Sequence, residues 1–304
     1  MDTLLSILTD HTFQIVALGT GILGLLSGVM GVFLTLRKQS LLGDALGHAA
    51  LPGIVIAFLL IQEKNMLILL LGASLSGLLA TALINWMTGR HSVIKQDSAL
   101  ALILSSFFGL GTALLSYSQQ MPNAAQAGLE TFIFGQASGM LRQDVYLIIV
   151  ISLLVLVLVA VFWKEFKLIT FDADFARTLP GPYSFLNRLL SLLIVVTIVL
   201  GLESVGVVLI SALLVNPAIA ARQWSHQMKT VIVLSGFFGL FSGIIGTLIS
   251  SAGSQIPTGA TIVVVATSIT LFSILFAPRR GLIARRRQVK EKEKALQTRL
   301  ERRE

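Results

Sequence analysis

Cysteine is absent from the chain, which excludes a disulfide framework and any thiolate metal site. Charge is scarce as well: Asp, Glu, Lys and Arg make up 12% of the 304 residues, where a soluble domain carries about a quarter. No Gly-Lys-Ser or Gly-Lys-Thr occurs, so the chain has no phosphate-binding loop and any ATP must be hydrolysed elsewhere. No His-Glu-x-x-His occurs either, and no nucleophile stands out beside a buried histidine, which ranks an intramembrane hydrolase last. The start of the chain carries Asp2 and Asp10 in place of the basic segment of a signal peptide, so the first apolar run is expected to be a retained span.

What is present is apolar bulk. Hydrophobic residues are 55% of the chain, with a mean hydropathy of +0.85. Between Lys229 and Arg279 lie 49 residues without a formal charge, enough for two bilayer crossings at about 20 residues each. That run excludes a water-soluble fold. The net charge of +8 falls between apolar runs and in the tail after Phe276, as cytoplasmic loops require. The partner it implies is a lipid membrane, and no nucleic-acid partner is expected.

Runs of spanning length cover roughly 13–36, 41–61, 66–87, 99–117, 144–162, 231–251 and 260–277. The stretch between Arg188 and Arg222 holds 33 residues, long for one helix and short for two. Its flanking loops, 163–188 and 222–230, are both basic, so both belong on the cytoplasmic side. The chain must then cross out and back between them, as a short pair turning near Glu203 to Gly206. The expected fold is therefore all-α, a polytopic transmembrane bundle of about nine crossings, two of them short, with the N-terminus outside and the C-terminus cytoplasmic. In that arrangement 21 of the 23 Lys and Arg residues fall inside, Lys64 and Arg142 being the exceptions. Trp86, Trp163 and Trp224 all fall at cytoplasmic span ends, where an aromatic belt belongs.

Residues 1–278 form the expected membrane domain, and 279–304 a basic cytoplasmic tail. Gly21, Gly24, Gly28 and Gly31 repeat at 3-4-3 spacing, as do Gly236, Gly239, Gly243 and Gly246. Each set contains a GxxxG, which predicts close helix packing.

The segment Leu41 to Gly53, LLGDALGHAALPG, is where chemistry is expected. An ionisable residue within a span costs about 2.5–3.5 kcal/mol on insertion scales, so its presence points to function. Asp44 and His48 are four apart, which places them on one helix face. A carboxylate and an imidazole so placed can converge on a borderline divalent cation such as Mn²⁺, Fe²⁺ or Zn²⁺. They can equally neutralise one another, or Asp44 can sit in the wet interface; both readings stand on these residues alone. Two ligands are too few for a closed site, and a two-fold axis would double them. Pro52 has no N–H for the carbonyl of residue 48, and Gly53 permits a bend there. Pro217, after Asn216, is a second helix break near the pathway. Glu203 and His11, His91 and His226 read as solvated, Asp97 as a residue opening its helix, and Gln255 to Thr258 as an outer-gate loop.

GDALGHAALPG resembles the signature of the ABC-3 family, the membrane permeases of manganese, zinc and iron ABC importers. Val205–Trp224 resembles the family's second block, Ile256–Gly281 its closing span, Phe171–Leu179 its coupling segment, and Phe132–Gln136 a shorter external one. The resemblance implies that Asp44 and His48 match the family's intramembrane metal-coordinating pair. It also implies a second permease subunit, a cytoplasmic ATPase subunit and an extracellular metal-binding protein, in a bacterial cell membrane. The cargo would be Mn²⁺, Zn²⁺ or Fe²⁺, with no permanently bound cofactor. Asn216 and the pair Ser225-His226 depart from common family residues, which leaves the choice of metal open.

The loop 163–188 carries Phe171, Asp172, Asp174 and Arg177 before Pro180-Gly181-Pro182, a short amphipathic run suited to contact with an ATPase groove. The competing functions are a permease for a metal chelate such as a siderophore, which needs no close Asp–His pair, and an ion-coupled secondary transporter, which needs no ATPase.

Overall fold

The computed structural model describes residues 9–63, 65–89, 92–120, 135, 137–179, 181–253, 256–278 and 281. Lys64, His91, Gln255, the tail after Gly281 and all of the external segment 132–136 except Gly135 lie outside the described residues, as does the side chain of Glu203.

Within them the chain is helical: α1 (His11–Leu36), α2 (Leu42–Ile61), α3 (Met66–Met87), α4 (Gln96–Ser118), α5 (Arg142–Val161), α6 (Trp163–Phe171), α7 (Ala173–Thr178), α8 (Tyr183–Val205), α9 (Val207–Trp224), α10 (Met228–Ala252) and α11 (Thr258–Phe276), with a 3-10 turn at Ala137–Gly139. Eight of these (α1–α5, α8, α10 and α11) are long and apolar enough to cross a membrane. The seven expected runs agree with α1–α5, α10 and α11 to within about three residues at each end.

The stretch 188–222 does turn back on itself, at Gly206, whose φ of 82° suits a residue without a Cβ. Of the helices on either side, α9 is short, at 18 residues, as expected, but α8 is not, at 23 residues. α8 begins at Tyr183, before the charge that marked the expected boundary. Arg188 sits in its second turn and folds back so that Nε donates to the Ser184 carbonyl at 3.1 Å. A long basic side chain near a helix end is tolerated because its head snorkels.

α1 is the central helix, with 78% of its most apolar window buried against 22% for the peripheral α11. Leu23, Leu26, Met30, Phe33 and Leu34 of α1 are completely or almost completely enclosed, along with Leu46 and Ile54 of α2 and Leu190 and Ile194 of α8. Apolar side chains gain little from leaving lipid, so close backbone contact and hydrogen bonds must hold such helices together. α1 and α10 do this by pressing their glycine faces together. A Cβ on Gly24 would strike the carbonyl of Gly239, and one on Gly243 the carbonyl of Thr20. Hydroxyls seal the same seam: Thr20 and Thr247 lie 3.0 Å apart, and Ser235 donates to the Gly28 carbonyl at 2.6 Å.

Candidate functional site

α2 packs against α3, α4, α8 and α9, and most of its residues are buried. Before its last turn, the accessible residues form one stripe at helical spacing, Leu41, Asp44, His48 and Ile56; the last turn opens more widely, at Leu59, Leu60 and Ile61. Buried Pro52 lies in the same register. The two ionisable residues therefore occupy the open stripe of a helix that is otherwise walled in up to its last turn.

Asp44 lies in the first turn of α2, where the helix dipole favours a carboxylate. Its side chain is 44% exposed, and that of His48 one turn further on is 20% exposed. His48 Nε2 and Asp44 Oδ1 are 3.6 Å apart, too far for a hydrogen bond. Mutual neutralisation through a hydrogen bond is thus not made. An ion about 2.1 Å from each of these atoms would subtend about 120° between them, near the tetrahedral preference of zinc. Among the described residues no third His, Cys, Asp or Glu joins the pair.

The walls of the site come from neighbouring helices. Gly43 and Gly47 let α9 lie close: a Cβ at Gly47 would come within 2.8 Å of Val207, and one at Gly43 within 3.2 Å of Leu214. From α4, Phe108 meets the His48 ring in a T-shaped contact with centroids 4.8 Å apart. Nothing in the local sequence distinguishes Phe108 from other aromatics of an apolar span, because its partner is 60 positions away.

The helix runs on through Pro52. Gly53 serves a close crossing, its hydrogen facing Gly72 and Ser76 of α3, and Ser76 donates to the Ala49 carbonyl at 2.6 Å. Asn216 and Pro217 lie elsewhere on α9. The Asn216 amide donates to Thr267 at 2.9 Å, and its backbone carbonyl accepts from Thr270 at 2.9 Å. Trp224 extends this polar seam with α11 by donating to Ser273 at 3.0 Å.

The loop between α5 and α8 folds as two short helices. Asp172 caps α7 by accepting from the Phe175 N–H at 2.9 Å. Asp174 and Arg177 pair at 3.3 Å in solvent, and Arg177 stacks over the Tyr183 ring at 5.4 Å. Phe171, Phe175 and Leu179 are 60%, 52% and 41% exposed. Phe171 ends α6, Phe175 lies in α7 and Leu179 follows it, so the loop leaves three large apolar side chains uncovered.

A bundle with eight helices long and apolar enough to cross a membrane, and an accessible carboxylate and imidazole one turn apart on one of them, is the architecture of a multi-pass membrane protein. The chain belongs to the ABC 3 transport family, which it matches over residues 9–277. It is 48% identical over 272 residues to the manganese transport system membrane protein MntC of Bacillus subtilis, covering 90% of this chain and 62% of that one. It is 47% identical over 292 residues to the zinc transport system membrane protein TroC of Treponema pallidum, covering 95% of this chain and 98% of that one. The solved structure of PsaBC from Streptococcus pneumoniae in complex with Fab superposes with a TM-score of 0.80 at 30% identity, covering 92% of this chain and 97% of that chain.

Proposed function

We propose that this chain is the membrane-spanning permease of an ABC importer and carries a divalent transition-metal ion into the cytoplasm past Asp44 and His48. The observation that carries the proposal is the pair itself: a carboxylate oxygen and an imidazole nitrogen 3.6 Å apart, too far for a hydrogen bond and both accessible, on a helix that is mostly buried. Family membership and the names of the relatives, for manganese and for zinc, support this cargo. Iron is also among the cargoes the sequence leads one to expect, but none of the relatives compared above is named for it.

With α9 counted, the spans number nine, and the basic ends of the helices face the cytoplasm with the tail 279–304. A single chain supplies two ligands. A second permease subunit, placed with its own α2 across a two-fold axis, would bring the set to four. A site of that kind is complete only while the subunits are closed on each other, so the ion is released when they part. Energy arrives from a separate ATPase subunit, which covers Phe171, Phe175 and Leu179 and is oriented by Asp172, Asp174 and Arg177. An extracellular binding protein delivers the ion to the opposite face.

Uptake of Mn²⁺, Zn²⁺ and Fe²⁺ by proteoliposomes holding the permease and its ATPase tests the reading. Asp44→Asn and His48→Ala should each cut uptake at least about tenfold, the equivalent of about 1.4 kcal/mol. Uptake unchanged in both variants, or uptake of a metal chelate in place of the free ion, would sink it.

A further inference from the structure

Where α1 ends and α2 begins, a cavity of about 400 Å³ opens between the ends of α1 and α3, the loop helices α6 and α7, and the start of α8. It is within the range of small-molecule sites, roughly 300–1,000 Å³. Arg37, Lys38 and Arg177 line it, and no Asp or Glu does. We propose that it binds the phosphate of an anionic phospholipid headgroup.

The Arg37 guanidinium makes the case first. It donates to the uncharged Asn187 side chain at 2.6 Å, and no carboxylate pairs with it among the described residues. Burial pushes its pKa below the ordinary arginine value, against the opposing influence of nearby Tyr183. A partly desolvated cation without a counter-ion is costly. A phosphate is the anion that an arginine fork fits best, through paired charge-assisted hydrogen bonds.

Lys38 adds an independent observation. It occupies the left-handed residue of a helix-ending motif, with φ 58°, while its N–H and that of Gln39 reach back to Thr35 and Leu34. Glycine is the low-strain residue at that position. A lysine held there at a conformational cost keeps a second cation at the mouth of the cavity. Arg177 lines the cavity from α7, its charge shared with Asp174 at 3.3 Å.

The lipid is favoured over a free ion by what adjoins the cavity. α3, whose last turns line it, turns Leu79 and Trp86 outward, 56% and 79% exposed. They offer an acyl chain a path, with a tryptophan at headgroup depth. The proposal rests on membrane placement and is independent of the transported metal.

Native mass spectrometry of the full-length chain in detergent, titrated with phosphatidylglycerol, phosphatidylcholine or inorganic phosphate, tests it. One phosphatidylglycerol should bind saturably and about tenfold more tightly than phosphatidylcholine. Arg37→Gln should weaken it about tenfold, and Lys38→Gln and Arg177→Gln about fivefold each, by loss of one charge apiece near the headgroup. Arg177 lies on the exposed loop, so its variant reports on binding even where Arg37→Gln impairs folding. Equal affinity for the two lipids, or unchanged binding in both Lys38→Gln and Arg177→Gln, would overturn the proposal. Displacement of the lipid by equimolar inorganic phosphate would overturn the lipid and assign the cavity to the free anion.

Discussion

The α1–α10 seam and the open stripe of α2 both place polar groups inside an apolar bundle, and they treat them in opposite ways. Along the seam, Thr20, Thr247 and Ser235 are buried and every one of their hydroxyls is spent on a neighbour. On α2, Asp44 and His48 carry far more costly groups and face each other at 3.6 Å, within ion-pair reach but beyond a hydrogen bond, with both side chains accessible. Two hydroxyls, Ser27 and Ser152, are buried without a partner among the described residues, but a neutral hydroxyl costs much less to strand than an ionisable group. The difference underlies the proposal that the seam is glue and the α2 pair machinery: the seam hydroxyls are committed to neighbouring helices, and the Asp44 and His48 side chains stay accessible.

Overfilling the seam should have the largest effect. Gly24→Leu places a side chain where the opposing atoms are the backbone of Gly239, so no rotamer can move aside. Ordinary overpacking costs about 1–3 kcal/mol, and this substitution should exceed that range and abolish a monodisperse peak on size-exclusion chromatography. The α2 variants should do the reverse. Asp44→Asn and His48→Ala should lose transport at least about tenfold while their thermal midpoints stay within about 2 °C of wild type, because little packing is removed. A midpoint that falls together with transport would make the pair structural.

Much of this contrast is legible in the sequence, for definite reasons. The spans announce themselves because a bilayer demands long uncharged runs, and the two glycine rows are visible at their own spacing. That they meet each other is not visible, because pairing of α1 with α10 is a tertiary fact that either row could have satisfied against another helix. Asp44 and His48 are readable as a pair since four residues make about one helical turn. Phe108 and the Arg37 cavity are not readable, since each is assembled from separate helices. The length of α8 is hidden because Arg188 has the look of a span edge, while in the structure its charge is accommodated within the helix. Asn216 illustrates the opposite limit: its polarity within a span is legible, but its partner Thr267 on α11 is not.

A smaller effect is expected at the wall of the site. Phe108→Leu keeps an apolar side chain in α4 but removes the ring that meets His48 at 4.8 Å. Aromatic contacts of this geometry are worth about 0.5–1.5 kcal/mol, so transport should fall about two- to tenfold with the order of metal preference intact. No change at all would show that the ring does not hold His48 in place.

Asn216 should give the smallest effect and separate glue from machinery most cleanly. Its amide is committed to Thr267 and its carbonyl to Thr270, which is the treatment seen along the α1–α10 seam. Interhelical hydrogen bonds in membranes average about 0.6 kcal/mol and reach about 1.7. At about 2–4 °C per kcal/mol for a chain of this order of size, Asn216→Leu should lower the thermal midpoint by only a few degrees, and Thr267→Val should lower it by the same amount. The double variant should show little further loss, since the bond is already gone in either single one. Metal uptake should stay within about twofold of wild type, because nothing the ion touches has changed. Were uptake instead to fall as far as in Asp44→Asn at an unchanged midpoint, Asn216 would belong to the pathway, and its bond to Thr267 would be a resting arrangement that the transport cycle breaks.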